Sequence, residues 1–336
     1  MYLVLAFMIL LNLFFAHGLA EAGKSRWHYD NKKLFLYQQA TRLSMGTVKG
    51  HPSKAVAGKQ DKVRSMLVLD LSGGHVLQEK APDLQIPPAS VTKIMSLFLV
   101  YEALESGKVR YMDKVRVSAK AATTGGSTMG LKVGETVSLS KLMAGMAIAS
   151  GNDACVAVAE HFGGEVAFVA AMNRKAQALG MTRSVFKNPH GLPELGQVVT
   201  ARDLAKLATV YLKRFPQSLS QLHSRRTIVH NGHARHNANL LLGTVGGVDG
   251  LKTGYVAASG FNMVATAKRG SIRLLAVVLG GHTWRIRNIE TARAIEKHFA
   301  QLGQISQTLV NQRTKQIQAS STSVLAPSQN VQGNQL

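Results

Sequence analysis

Two pairs of strand-like runs stand near opposite ends of the folded part of this 336-residue chain, with a mostly helical pattern between them. The first, "SMLVLDLSGGHVLQEK" at 65–80, has two apolar runs about Ser72-Gly73-Gly74, the pattern of a β-hairpin. The second, "GFNMVATAKRGSIRLLAVVLGG" at 260–281, turns at Lys268-Arg269-Gly270. From about 112 to 245 the reading is mainly helical. "NDACVAVAEHFGG" and "GEVAFVAAMNRKAQALG" have helical periodicity closed by glycine, and "TARDLAKLATVYLKRF" is amphipathic behind Thr200, a candidate N-cap. A last helix, "IRNIETARAIEKHFAQL", follows the second strand pair. The simplest assembly joins the outer strands in one antiparallel sheet, covers it with helices, and sets the middle apart as a helical lobe. The predicted class is therefore α/β (α+β), with any site in the cleft between sheet and lobe.

The ends of the chain read differently. "MYLVLAFMILLNLFFA" is shorter than the roughly 20 apolar residues of a membrane-spanning helix. Small residues follow, with Ala20-Glu21-Ala22 as a cleavage site, so residues 1–22 are predicted to be a secretory signal; an uncleaved anchor is the alternative. Residues 23–60 form a basic leader, expected to be flexible. The folded unit spans 61–302, and 303–336, rich in Gln, Ser and Asn, reads as a disordered tail. Forty Lys and Arg against 18 Asp and Glu give a net charge of +22, which calls for an anionic partner. For an exported protein that partner is a cell wall or membrane surface rather than nucleic acid. The single Cys155 excludes an internal disulfide and a cysteine-based metal cage.

Three short motifs carry chemistry. In "IPPASVTKIMSLFLVYEAL", Ser90 and Lys93 lie three apart at the start of an apolar helix, where they share a face. That spacing suits a nucleophile and its base, and equally an N-cap serine with a solvent-facing lysine. The same spacing at Ser184 and Lys187 runs into Asn188-Pro189, which interrupts a helix. In "ASGNDA", Ser150-Gly151-Asn152 falls where an apolar helix ends, so a turn presents two polar side chains. In "GVDGLKTGYVAASGFN", Lys252-Thr253-Gly254 is placed on an edge strand, where glycine admits a ligand close to the backbone. Cys155 and His161 are too close along one helix for a thiol dyad, and Cys155 is assigned to the core. The histidine-rich "HNGHARHNANL" at 230–240 reads as a surface loop rather than a metal site.

In order and context the three motifs resemble those of the low-molecular-mass penicillin-binding proteins, the serine D-alanyl-D-alanine carboxypeptidase family. The resemblance covers about residues 60–300 and includes "PPASVTKIM", "GLKVGETVSLSKLMAGMAIASGNDA", "FKNPHGLP" and "GVDGLKTGYVAASGFNMVATA". It implies a penicillin-binding protein and β-lactamase-like fold, and catalysis by Ser90 as acylated nucleophile, Lys93 as its proton acceptor, Ser150 as relay and Asn152 as holder of the substrate amide. Lys252, Thr253, Gly254 and Tyr255 would bind substrate, the Tyr255 N–H joining that of Ser90 in an oxyanion hole. Peptidoglycan stem peptides are the implied substrates and β-lactams the implied inhibitors, with no metal or cofactor. The chain departs from the family at Val256, where threonine is common, and at Ala258-Ser259-Gly260, and its polar tail is not expected to serve as the amphipathic C-terminal anchor that some relatives carry. Arg285 and Arg287 are further candidates for reading a carboxylate, and "NPHGLP" is expected to be scaffolding. For Lys93 to act as a base, burial and Lys252 must lower its pKa. Three alternatives to a carboxypeptidase are a crosslink-cleaving DD-endopeptidase, a β-lactamase, for which Glu194 in "PELGQ" is a poor deacylating base, and a non-catalytic wall-binding protein.

Overall fold

The computed structural model describes residues 62–324; the predicted signal, the leader and residues 325–336 lie outside the described residues. The chain opens with β1 (Ser65–Asp70) and β2 (His75–Lys80), then a 3₁₀ turn (Ala89–Thr92) that runs into α1 (Lys93–Glu105). β3 (Lys114–Arg116), α2 (Ala119–Thr123), β4 (Thr136–Ser138), α3 (Leu139–Ala147), α4 (Asn152–His161) and α5 (Glu165–Ala178) follow. After α6 (Ala201–Arg214) come a π-helical turn (Leu219–His223), β5 (Thr227–His230) and β6 (His233–His236). β7 (Val248–Val256), β8 (Gly260–Arg269), β9 (Ile272–Gly281) and α7 (Trp284–Val324) complete the described chain.

The outer strands join in one antiparallel sheet of order β2-β1-β9-β8-β7, as the two distant hairpins require. Period-two alternation sends their side chains to two separate cores. Met66, Val68, Met263, Ala265, Ala276 and Val278 face α7, where Ala294, Ile295 and Phe299 meet them. Leu67, Val264, Leu275 and Val277 face the helical lobe and join its core. α1 runs through the middle of that lobe. It is buried almost all round rather than on one stripe, which is why its sequence is apolar at nearly every position. Its aromatic rings pack against α6, with Tyr101 stacked on Phe215 at 5.2 Å.

Local chemistry sets the boundaries. Thr200 caps α6 by accepting the Asp203 N–H at 3.0 Å, and Ser138 caps α3. Gly163 and Gly164, both at positive φ, separate α4 from α5.

Two expectations are corrected. Within the mainly helical stretch 112–245 two short ribbons that the sequence reading missed interrupt the helices, β3 pairing with β4 and β5 with β6. The second ribbon occupies the histidine-rich run read as a loop. Asn231 (φ 48°) and Gly232 (φ 76°) make its turn, and an Asn-Gly pair in left-handed conformation is a hairpin device. At the other end, α7 continues to Val324, well past the 302 boundary assigned from composition. Gln, Lys, Arg and Ala are good helix formers, Gly303 costs only about 1 kcal/mol, and the first proline is Pro327.

Thr200→Ala is expected to lower the free energy of unfolding by about 1 kcal/mol through loss of the cap. Urea titration of the two proteins measures it, and an unchanged midpoint would show that α6 is fixed by packing alone.

Candidate active site

Where the sheet meets the lobe, Ser90 sits in the 3₁₀ turn and Lys93 is the first residue of α1. The turn is held from outside the local sequence. Asn262 of β8 donates its amide to the Pro87 and Pro88 carbonyls, each at 3.1 Å, while its oxygen accepts the Gly280 N–H at 2.9 Å. Ala89 adopts φ 52°, and Gly191 is packed so tightly on its carbonyl that a Cβ there would overlap it. The "NPHGLP" segment is thus scaffolding against the nucleophile turn; Pro189 also accepts from the Ser96 hydroxyl at 2.6 Å.

The Lys93 ammonium is fully buried and has three acceptors: Ser90 Oγ at 2.9 Å, Asn152 Oδ1 at 2.7 Å and the His190 carbonyl at 2.8 Å. Burial lowers its pKa to about 8, against the opposing pull of Cys155 and Asp153. Asn152 opens α4. Its own amide N–H donates to the Ser127 carbonyl and its side-chain nitrogen to Gly125, both at 2.7 Å, which fixes its oxygen toward Lys93. Ser150 lies buried between α3 and α4 at φ 57° and makes no side-chain hydrogen bond among the described residues.

β7 forms the opposite wall and, as expected, is the sheet's edge. Lys252 is buried, with Nζ donating to the Thr253 carbonyl at 3.0 Å. Burial and the charge of Lys93 take its pKa well below the usual lysine value. Thr253 is buried beside it. Gly254 lets the strand lie against the nucleophile turn, since a Cβ there would stand 2.8 Å from the Ser90 nitrogen. Tyr255 is 56% exposed and packs on Phe261 with centroids 4.3 Å apart. The structure therefore brings all three motifs together. It does not do so for the other serine–lysine pair: Ser184 is buried on Asp203 at 2.8 Å, and Lys187 is exposed.

The two arginines separate. Arg285 is exposed, its guanidinium over the Trp284 ring at 5.2 Å. Arg287 is buried, donates to the Asn262 carbonyl and to Asn288, and has no carboxylate partner among the described residues. Burial pulls its pKa to about 10, and its charge contributes to lowering Lys252.

Sequence reading missed Asp153. Its buried carboxylate accepts the amides of Met129, Gly130, Leu131 and Ala154 and the Thr128 hydroxyl, clamping the 128–131 loop to α4. The available signal was an acidic residue in the first turn of a helix. Cys155, also buried, has its thiol pushed up to about 12 by burial, an inert core residue. Among the described residues no group of His, Cys, Asp and Glu has the makings of a metal site.

The sequence profile of the D-alanyl-D-alanine carboxypeptidases matches residues 52–283, with the nucleophile turn, the helical lobe and the whole five-stranded sheet inside the match. The chain belongs to the D-alanyl-D-alanine carboxypeptidase family. It is 38% identical over 250 residues to the carboxypeptidase DacF of Bacillus subtilis, a match covering 71% of this chain and 63% of that one. The chain thus spans less than two thirds of that relative's length. The crystal structure of penicillin-binding protein 5 from Haemophilus influenzae superposes with a TM-score of 0.69 at 33% identity, covering 73% of each chain. Penicillin-binding protein D2 of Listeria monocytogenes, solved with ampicillin bound, superposes at 0.62 with 29% identity, covering 74% of this chain and all of that one. The fold of this family member is that of the penicillin-binding DD-peptidases.

Asp153→Ala leaves the amides of Met129, Leu131 and Ala154 without an acceptor, Gly130 keeping the Thr128 hydroxyl, and is expected to cost roughly 3 kcal/mol of stability. Denaturant unfolding reads it directly; a loss below about 1 kcal/mol would mean the loop is held by other contacts.

Proposed function

We propose that the protein is a serine DD-peptidase, which removes the terminal D-alanine from peptidoglycan stem peptides through an ester on Ser90. One observation carries this reading: a fully buried lysine amine lies 2.9 Å from the serine hydroxyl, with two further acceptors to orient it. A neutral amine has two N–H donors and one lone pair. Donation to Asn152 and His190 leaves the lone pair for the Ser90 proton, the arrangement an activated nucleophile needs.

As Oγ bonds to the penultimate D-alanine carbonyl carbon, its proton moves to Lys93 Nζ. When the C–N bond breaks, the proton passes to the nitrogen of the leaving D-alanine. Ser150, whose hydroxyl has no other partner among the described residues, is assigned that relay. Water then attacks the ester and restores Ser90. Asn152 holds the substrate amide. The Ser90 and Tyr255 amides are assigned to the oxyanion, each worth about 3 kcal/mol in such sites. Gly254 supports this, because its missing side chain is what lets the two amides approach. Lys252 and Thr253 take the terminal carboxylate. Arg287, buried near Lys252 without a carboxylate of its own, adds positive charge there.

The same groups would take a β-lactam in place of the peptide, as the ampicillin complex of the Listeria relative illustrates for that protein. No carboxylate hydrogen-bonds Ser90 or Lys93 among the described residues and Glu194 is exposed, which favours a peptidase over a β-lactamase. The carboxypeptidase relatives favour terminal release over crosslink cleavage. The apolar opening run supports a site of action outside the cytoplasm, in the periplasm or cell envelope, and the net charge of +22 supports attraction to anionic wall or membrane surfaces there.

D-alanine release from a short peptide ending in Lys-D-Ala-D-Ala, measured for the wild type and Ser90→Ala, tests the reading. Release by the first alone is expected; equal release by both would remove Ser90 from the mechanism. A pH series gives a second test. Only neutral Lys93 accepts the proton, and its pKa is lowered to about 8, so the acylation rate is expected to rise with pH and level off above about 8. A rate that falls over that range would mean the base is another group.

A further inference from the structure

His223 belongs to none of the three motifs, yet it is fully buried and hydrogen-bonded on both ring nitrogens. Nδ1 lies 3.1 Å from the Leu251 carbonyl and Nε2 lies 2.9 Å from the Tyr211 hydroxyl. A carbonyl only accepts, so Nδ1 carries the proton, and Nε2 then accepts from Tyr211. Leu251 immediately precedes Lys252. We infer that His223 is a positioning residue: it holds the first half of β7 against the helical lobe, and so places Lys252 and Thr253 where they meet the substrate's carboxylate.

Three further observations bear on this. The approach of His223 to the strand is built into the sequence at Gly250, where a Cβ would stand 2.9 Å from Leu219 and 3.2 Å from the His223 Cβ. The segment carrying the ring is a π-helical turn, closed by the Ser224 N–H on the Leu219 carbonyl at 2.9 Å and by the Ser224 hydroxyl at 2.8 Å. Such single turns re-aim a side chain relative to an ordinary helix. Buried Asn239 adds a bond to the Gly250 carbonyl at 3.3 Å.

The far end of the link is anchored on the helix that carries the base. Tyr211 packs against Tyr101 and Phe98 of α1, with ring centroids 5.9 and 6.1 Å away. Residues 93, 98 and 101 thus belong to the same rigid helix, and His223 connects it to the strand bearing Lys252. Main-chain groups two residues apart on a strand point the same way, so the Leu251 carbonyl held by His223 shares its direction with the polar groups of Thr253 and Tyr255. Burial lowers the His223 pKa to about 4, which keeps the ring in the neutral form this bridge needs. β7 pairs with β8 from Gly250 to Val256, and the bridge adds to that pairing at Leu251, next to Lys252 and four residues from Tyr255, so loss of the bridge should act on carboxylate binding more than on the oxyanion amide.

The inference rests on the peptidase reading above, and the test separates the two. Wild type, His223→Leu, His223→Gln and His223→Asn are compared in D-alanine release, with Thr200→Ala as a control that loses stability at a residue outside the three motifs and the bridge. An asparagine amide nitrogen stands near the place of Nδ1, so it keeps the donor to Leu251 and gives up Tyr211. The expected result is a KM about tenfold higher for Leu and Gln, the worth of one buried hydrogen bond, with kcat within about threefold. Asn should stay within about threefold of wild-type KM, and Thr200→Ala should leave KM unchanged. Should His223→Leu fail to fold, the contrast of Gln with Asn decides. Equal KM in all His223 variants, or an Asn variant as impaired as Gln, would overturn the positioning role while leaving the peptidase reading intact. A wild type that neither releases D-alanine nor forms a covalent adduct with benzylpenicillin would overturn both.

Discussion

A lysine amine with no exposure to water is the constraint on which the rest of this structure depends. Taking a cation out of solvent costs several kcal/mol unless its protons are matched by well-placed acceptors. Lys93 meets that demand with Ser90 Oγ, the Asn152 side chain and the His190 carbonyl, drawn from the nucleophile turn, the start of α4 and a loop nearly a hundred residues downstream. Each acceptor must be held in place in turn, and the surrounding hydrogen bonds do so: Asn152 through Gly125 and Ser127, the 3₁₀ turn through Asn262, and α4 through Asp153. The apolar character of α1 follows from the same requirement. A polar stripe on this helix would admit water and return Lys93 to an ordinary ammonium.

How much of this could be read from the sequence varies with distance along the chain. Ser90 and Lys93 were legible because helical spacing alone sets them side by side. Lys252-Thr253-Gly254 was legible because strand pattern and glycine marked an edge, and the sheet followed from two hairpins that had to find partners. Asn262, His190 and His223 were not. Asn262 bonds to Pro87 across 175 residues, and no local pattern announces such a contact. His190 contributes only its main-chain carbonyl, which any residue possesses. The ribbon β5–β6 was misread for another reason: its histidines suggested a loop, although Asn231-Gly232 held the turn signal. The length of α7 was misread because a polar composition was taken for disorder, whereas helix propensity without a breaker carries the helix on.

Ser150 is the motif residue whose geometry least resembles its neighbours'. It occupies a left-handed conformation that costs a serine of order 1–2 kcal/mol, and its hydroxyl has gained no partner among the described residues in exchange. Strain of this kind persists only where surrounding structure over-determines it. Here the Gly151 N–H bonds back to the Gly145 carbonyl, and Asn152 and Asp153 are fixed on either side of the cleft wall. Ser150 is thus bent out of helical geometry by the three residues after it. Its hydroxyl has no protein hydrogen bond among the described residues to give up when a substrate group arrives.

The two buried lysines give the site its last property. Burial disfavours the proton on both, and the charge of Lys93 further disfavours the proton on Lys252, whereas the expected lowering of Lys93 by Lys252 is not seen and burial alone lowers it. Under the proposed mechanism the terminal carboxylate of the substrate arrives beside Lys252. An opposite charge at hydrogen-bond distance favours the ammonium form there, and the positive charge thus gained acts on Lys93 in the direction of proton loss. Binding of the substrate's carboxylate thus favours the neutral form of Lys93 that the mechanism needs. This also explains why β7 has to be placed so closely. A Coulomb coupling inside a low-dielectric cleft falls off with separation and collapses when water enters, so the strand that carries Lys252 must be braced against the helix that carries Lys93.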